Sequence, residues 1–222
     1  MTTKQIIILG GLGNGSVVAA AITDAYNKGH REYKMFGYLN DREPVGSEIE
    51  GFPVLGPCTD APKYYRDDFC FINTLYRIDG QGIRVKYFES LGIPDDRLAT
   101  FVHYSAYVAP NVKLGPGTVI MPNVSISPGA VFGKCCLVMV SAVVGHNTII
   151  GNYCHFAAHS CTGAYLSIED SVHIGLNASV REHLTLKRGS TLAMGALLLK
   201  DMQENEIWAG VPAKLLRQAR EE

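Results

Sequence analysis

Residues 138–156 read VMVSAVVGHNTIIGNYCHF, and the stretch beats on a period of six. Val138, Val144, Ile150 and Phe156 stand six apart, with Ala142, Thr148 and Cys154 four places behind a leading residue. Followed outward, the beat runs from Val102 to Leu198 without slipping. Every sixth residue there is aliphatic or Phe, and only Thr162 departs. The position four after each lead is mostly small or apolar, and Gly often follows the lead directly, as at Gly115, Gly133, Gly145, Gly151 and Gly175. No α-helix satisfies a strict period of six, whereas a parallel β-helix of short strands and tight turns does. Three hexads make one triangular coil, so each lead points inward and stacks on its counterpart three hexads on, with coils ~4.8 Å apart. At the far end, Trp208-Ala-Gly-Val-Pro-Ala-Lys214 precedes LLRQAREE, whose pattern predicts a short polar helix capping the solenoid.

The segment before the repeat has a different pattern. Ile6-Ile-Ile-Leu9 is a short apolar run ended by Gly10-Gly-Leu-Gly-Asn-Gly15. Ser16–Lys28 reads as a helix with Ser16 as N-cap and Gly29 as its stop. Strand, glycine loop and helix open a nucleotide-binding α/β unit, in which loop amides and a helix N-terminus face a phosphate. The spacing is G-x-G-x-G rather than the full G-x-G-x-x-G, so the motif alone is weak. Met35–Asn40 predicts a second strand and Phe69–Ile72 a third, with Gly82–Leu91 as a further helix closed by Gly92. Asp41 after the second strand fits either a ribose contact or a solvated turn, and Asn73 sits where ligands collect in open α/β sheets.

Composition narrows the classes. The chain has 222 residues and a formal net charge of -1, which lacks the basic excess of a nucleic-acid binder. It is 47% apolar, enough for a full core, yet contains no run of ~18 apolar residues able to span a bilayer. The opening apolar run is too short for a signal peptide and reads as a buried strand. Six Cys without a C-x-x-C pair read as reduced thiols of a cytoplasmic protein.

Together, Ile8-Leu-Gly-Gly-Leu-Gly-Asn-Gly15, Tyr38-Leu-Asn-Asp41, His103-Tyr-Ser-Ala106, Gly145-His-Asn147, His155, Ile174-Gly-Leu-Asn177 and Gly210-Val-Pro-Ala-Lys214 resemble the bacterial sugar O-/N-acyltransferases of the sialic-acid and bacillosamine pathways. The resemblance covers essentially the whole chain. It implies a Rossmann-like nucleotide-sugar-binding domain over 1–100 and a left-handed β-helix of hexapeptide repeats over 101–222. It also implies a homotrimer with its active site at the subunit interface. The implied activity moves an acetyl group from acetyl-CoA to an amine, most often the 4-amine, of a nucleotide-linked amino sugar.

Acetyl transfer from a thioester to an amine needs a base for the departing proton and a donor for the developing oxyanion. A neutral imidazole suits the first task. His146 stands at the third place of its hexad, outward on a coil edge, and matches the family's catalytic His. His155, half a coil on, matches a second His near the acetyl group and the acceptor, while His173 above it reads as structural. The family commonly has Glu or Asp after the catalytic His; here that place holds Asn147, which can hold the tautomer but cannot balance a positive charge. For CoA, the matching positions are the backbones of Gly163, Leu176, Ala193 and Met194, with Lys200 or Lys214 for the phosphates. For the nucleotide they are Gly11, Gly13, Asn14 and Gly15 at the phosphates, Asn40 or Asp41 at base or ribose, and Asn73 on the loop side. His146, Cys154, His155, His159 and Cys161 match no zinc spacing, so no metal is expected. Two further readings stay open: O-acetylation of sialic acid or a related sugar, and a non-catalytic hexapeptide scaffold.

Overall fold

The structure is a computed structural model and describes residues 3–65 and 69–220. The chain opens with β1 (Lys4–Leu9), α1 (Asn14–Asn27), β2 (Tyr33–Leu39), the hairpin of β3 (Glu48–Ile49) and β4 (Phe52–Gly56), and β5 (Phe69–Asn73), followed by α2 (Gln81–Ser90). The strands lie in the order β3-β4-β2-β1-β5, parallel except for the β3–β4 hairpin. β1 is central, and Ile6, Ile7, Ile8 and Leu9 are all fully buried. That burial on both faces explains why it reads as an unbroken apolar run rather than an alternation. Helix α1 starts two residues before the predicted Ser16. Gly13, at φ 93, turns the chain into the helix early, and Ser16 lies inside the first turn with its hydroxyl on the Gly13 carbonyl.

From Phe101 the chain winds into a parallel β-helix. Each coil contributes three two-residue strands, and each pairs with the strand eighteen residues on: Val143 with Cys161 and Val144 with Thr162, for instance. The coils form three parallel sheets, as the repeat predicts, and this geometry fits the left-handed β-helix that the resemblance implies. Leads from Ile120 to Leu198 are buried as expected. In the first coil Val102 is 41% exposed, because no coil lies beneath it. Thr162 departs from the apolar rule without cost, since its hydroxyl donates to the Val143 carbonyl. In the middle coils the third residue after the lead takes the left-handed conformation at a corner, as Asn147, Tyr153, Tyr165 and His183 do at φ 56 to 59. Gly145 must be glycine for another reason: a Cβ there would run into the Gly163 backbone of the next coil.

The end of the solenoid differs from the expectation. No helix forms over the described residues 215–220 of LLRQAREE. Glu206–Gly210 adds a further parallel strand beside Thr191–Leu192, and Ala213–Gln218 folds back on it as an antiparallel strand. The last two residues of the expected helix lie outside the described residues. An isolated eight-residue polar helix is marginal in water, whereas the open edge of Glu206–Gly210 offers backbone partners at once. This returning strand carries Arg217, whose guanidinium contacts Asp79 Oδ2 at 2.7 Å, and Asp79 Oδ1 accepts the Arg220 N–H at 2.8 Å.

One face of the solenoid is covered by the α/β segment. Along it, the outward residues Phe101, Val119, Leu137, His155, His173 and Thr191 are all buried, while Val143, Cys161 and Ser179 on another face are exposed. The loop after β5 makes the contact. Tyr76 lies over His155, its hydroxyl donates to the Cys135 carbonyl, and Thr191 Oγ1 donates to the Ile78 carbonyl at 2.9 Å.

Candidate active site

His146 follows Val144 and Gly145 at a corner, and the coil register turns its side chain into solvent. Its Nδ1 lies 2.9 Å from Asn147 Oδ1. An amide oxygen only accepts, so Nδ1 carries the proton and Nε2 is left with a free lone pair facing outward. Tyr165, one coil on, meets the imidazole edge-to-face at 4.9 Å and 84°, and His183 stacks on the far side of Tyr165 at 4.9 Å and 6°. No carboxylate among the described residues forms an ion pair with His146.

A cavity of about 530 Å³ lies on the covered face. Asn14, Tyr76, Ile78, Gln81 and Arg217 close it from one side, and Met139, His155, His173, Leu176, Thr191 and Met194 from the solenoid. His155 and His173 stack one above the other at 4.9 Å, with Nδ1 atoms 3.0 Å apart. Burial pushes His155 down to about 3, with His173 beside it adding to the shift, and burial pushes His173 down to about 4. Both rings are therefore neutral, with one Nδ1–H donating to the other Nδ1. His155 Nε2 and Gln81 Nε2 are buried without a protein partner. Each such group favours a ligand or water that completes its hydrogen bonding.

The predicted residues thus separate. His155, Leu176, Ala193, Met194 and Asn14 line the cavity, whereas His146 and Asn147 stand at a different corner and do not. His173, read from sequence as structural, lines it too. Lys200 and Lys214 are exposed and outside the lining. Asn40, Asp41 and Asn73 spend their side chains on loop geometry. Asn40 donates to the Gly10 carbonyl and accepts from the Arg42 and Glu43 amides; Asp41 accepts from Cys58 N–H and the Tyr87 hydroxyl; Asn73 accepts from Leu75 N–H. Gly11 has to be glycine because a Cβ would collide with the Asn40 amide. Gly13 and Gly15 shape the entry to α1 and do not line the cavity.

The backbone candidates divide by register. Gly163 and Ala193 follow their leads directly, and their N–H groups are committed to the carbonyls of Val180 and Trp208 at 2.8 Å. Leu176 and Met194 stand one place later, where the amide makes no bond among the described residues. Ala164 occupies that free place in the coil above His146, so its amide, not that of Gly163, is available there. Register alone does not free an amide: at the same place Lys134, Asn152 and Arg188 donate theirs to side-chain oxygens of Asn152, Asp170 and Glu169. Tyr165, Tyr76, Gln81 and Arg217 also escaped the sequence reading. Among the described residues no group of three or more His, Cys, Asp or Glu is placed to hold a metal ion, and no helix is long and apolar enough to cross a membrane.

With this geometry in hand, comparison with known proteins shows what the chain is similar to. No protein-family model matches the chain. UDP-3-O-acylglucosamine N-acyltransferase of Caulobacter sp. (strain K31) is 32% identical over 74 residues, 33% of this chain and 22% of that protein. The chain thus spans about a fifth of the length of the curated relatives that match first. GDP-perosamine N-acetyltransferase of Escherichia coli O157:H7 is 26% identical over 139 residues, 62% of this chain and 61% of that protein. The acetyltransferase domain of PglB from Neisseria gonorrhoeae FA1090, solved also in complex with acetyl coenzyme A, superposes with a TM-score of 0.83 at 25% identity, over 96% of this chain and 100% of that one. In fold and sequence the chain is thus similar to bacterial acyltransferases, GDP-perosamine N-acetyltransferase and the PglB acetyltransferase domain among them.

Proposed function

We propose that the protein is an acetyl-CoA-dependent N-acetyltransferase acting on the amine, in the first instance the 4-amine, of a nucleotide-linked amino sugar. The observation that carries the reading is the position of His146: its Nδ1 is held by Asn147, and its Nε2 is presented to solvent at a coil corner. The similarity to GDP-perosamine N-acetyltransferase and to an acetyl-CoA-binding PglB domain supports the donor and the acceptor class.

In this mechanism Nε2 of neutral His146 takes a proton from the amine as its nitrogen attacks the thioester carbonyl. The oxyanion accepts a hydrogen bond from a free corner amide, for which Ala164 is the candidate. The tetrahedral intermediate collapses with loss of the C–S bond, and the imidazolium returns its proton to the leaving thiolate. The products are an amide and free CoA.

Residues 1–100 then serve as a Rossmann-like nucleotide-sugar domain and 101–222 as the acyltransferase domain. Asn14, Gly11, Gly13 and Gly15 hold the phosphate side, Asn40, Asp41 and Asn73 shape it, and Leu176, Met194, Lys200 and Lys214 receive CoA. Because His146 and the cavity occupy different corners of one coil, they meet when a second copy docks, which supports a homotrimer with shared sites. Five buried free thiols fit a cytoplasmic setting.

The test is CoA release from acetyl-CoA with a panel of UDP-, dTDP-, GDP- and CMP-linked amino sugars. His146→Ala is expected to lose about 10²–10⁴-fold of the rate, the usual contribution of a general base. Full activity in that variant would sink the mechanism.

A further inference from the structure

We infer that Tyr165 is the positioning residue for His146, holding its ring and stabilising the imidazolium where the neighbouring side chain cannot. This rests on His146 as the base, and the experiment separates the two.

Asn147 accepts the Nδ1 proton but has no charge to set against an imidazolium. The ring that lies against His146 is Tyr165, at 4.9 Å and 84°. Three features make this placement fixed rather than incidental. The Tyr165 N–H donates to the His146 carbonyl at 3.0 Å, which locks the two residues in coil register. Tyr165 takes the left-handed corner conformation at φ 56, which sets the direction of its side chain. His183, one coil further on, stacks flat on it at 4.9 Å and 6° and braces it from behind. The three rings therefore rise along one corner, one per coil, with Tyr165 between two imidazoles. An aromatic face attracts a cation within ~6 Å of its centre, and the attraction grows when water is excluded. Docking of a second copy or of substrate over this exposed corner excludes water. The proton that Nε2 acquires during attack would then be held beside a π system instead of a carboxylate. The other titratable and charged groups at this corner are His183 and its neighbours Arg181 and Glu182, and among the described residues none makes an ion pair with His146.

The experiment uses the full chain and two variants. Tyr165→Phe keeps the ring; Tyr165→Asn removes it with a residue that tolerates the left-handed backbone. Tyr165→Phe is expected to keep wild-type kcat and pH profile. Tyr165→Asn is expected to lose about five- to tenfold in kcat with KM for both substrates unchanged, and to shift the acid limb of the kcat/KM profile to lower pH, because a less stabilised imidazolium is a stronger acid. Melting temperatures check that both variants fold. NMR of the His146 ring gives a readout that needs no turnover: Asn147 keeps the Nδ1-protonated tautomer in all three proteins, while the ring is held in one orientation in the wild type and Tyr165→Phe and becomes mobile, with exchange-broadened signals, in Tyr165→Asn. Unchanged kcat and unchanged His146 ring mobility in folded Tyr165→Asn would overturn the inference, as would a loss in Tyr165→Phe equal to that in Tyr165→Asn. If His146→Ala stays fully active, the base assignment falls, while the NMR result still decides whether Tyr165 orients the ring.

Discussion

The imidazoles of His155 and His173 lie one coil apart, parallel to within 6°, with their Nδ1 atoms 3.0 Å from each other and both rings buried. Burial favours two neutral rings, because protonating either would place a charge in a dry space. The junction between the α/β segment and the solenoid is built on that neutrality.

The pair makes folding sensitive to acid. Burial lowers His155 to about 3 and His173 to about 4, both below the ordinary 6.5. From pH 6.5 down to about 4 for His173 and about 3 for His155, the unfolded chain binds protons that the native state refuses, so stability is full above pH 6.5 and falls as the pH drops through that window. Replacing His173 by Phe is expected to flatten the fall by roughly 1 kcal/mol per pH unit within it. Chemical denaturation at pH 7, 6 and 5 checks this; equal slopes for wild type and variant would refute it.

The split between His146 and the cavity makes complementation the natural test of the assembly. His146→Ala and His155→Ala are each expected to be inactive alone. Unfolded and refolded together in equal amounts, they should recover about a quarter of wild-type activity, since random assembly leaves about that share of subunit boundaries with both functional groups intact. Absence of recovery despite normal trimer mass in light scattering would place both groups in one subunit's site.

Coil-to-coil approach sets a strict steric limit at Gly145 and Gly175. A Cβ at Gly175 would lie 2.6 Å from the Met194 nitrogen, and one at Gly145 would meet the Gly163 backbone. Gly175→Ala is expected to cost more than about 2 kcal/mol, because backbone cannot yield as a side chain can. Gly82→Ala on α2, where nothing lies within 4 Å, should stabilise slightly or change little. Urea midpoints of the two variants give the comparison, and equal midpoints would contradict the packing.

The Asp79 clasp ties the returning C-terminal strand to the loop over the cavity, through Arg217 and the Arg220 amide. Asp79→Ala is expected to lower stability by only about 0.5–1 kcal/mol, as partly exposed ion pairs do, while raising KM for the sugar substrate. Hydrogen exchange over residues 77–80 should quicken in the variant; unchanged exchange would show that the clasp does not hold the loop.

Much of this was legible in the chain itself. The six-residue beat determined the solenoid, because inward pairs such as Val144 with Thr148 can be buried at that spacing only in stacked coils. The same register placed His146 outside. Ile6–Leu9 declared a central strand because both its faces are buried. What the tertiary structure alone decided lies between distant segments. The fold-back of Ala213–Gln218 depended on an open strand edge that no local propensity announces. The reach of Tyr76 and Ile78 to His155 and Thr191 joins residues more than seventy positions apart. Periodicity reports which way a side chain points relative to its own coil, and nothing in it says what will arrive on the other side.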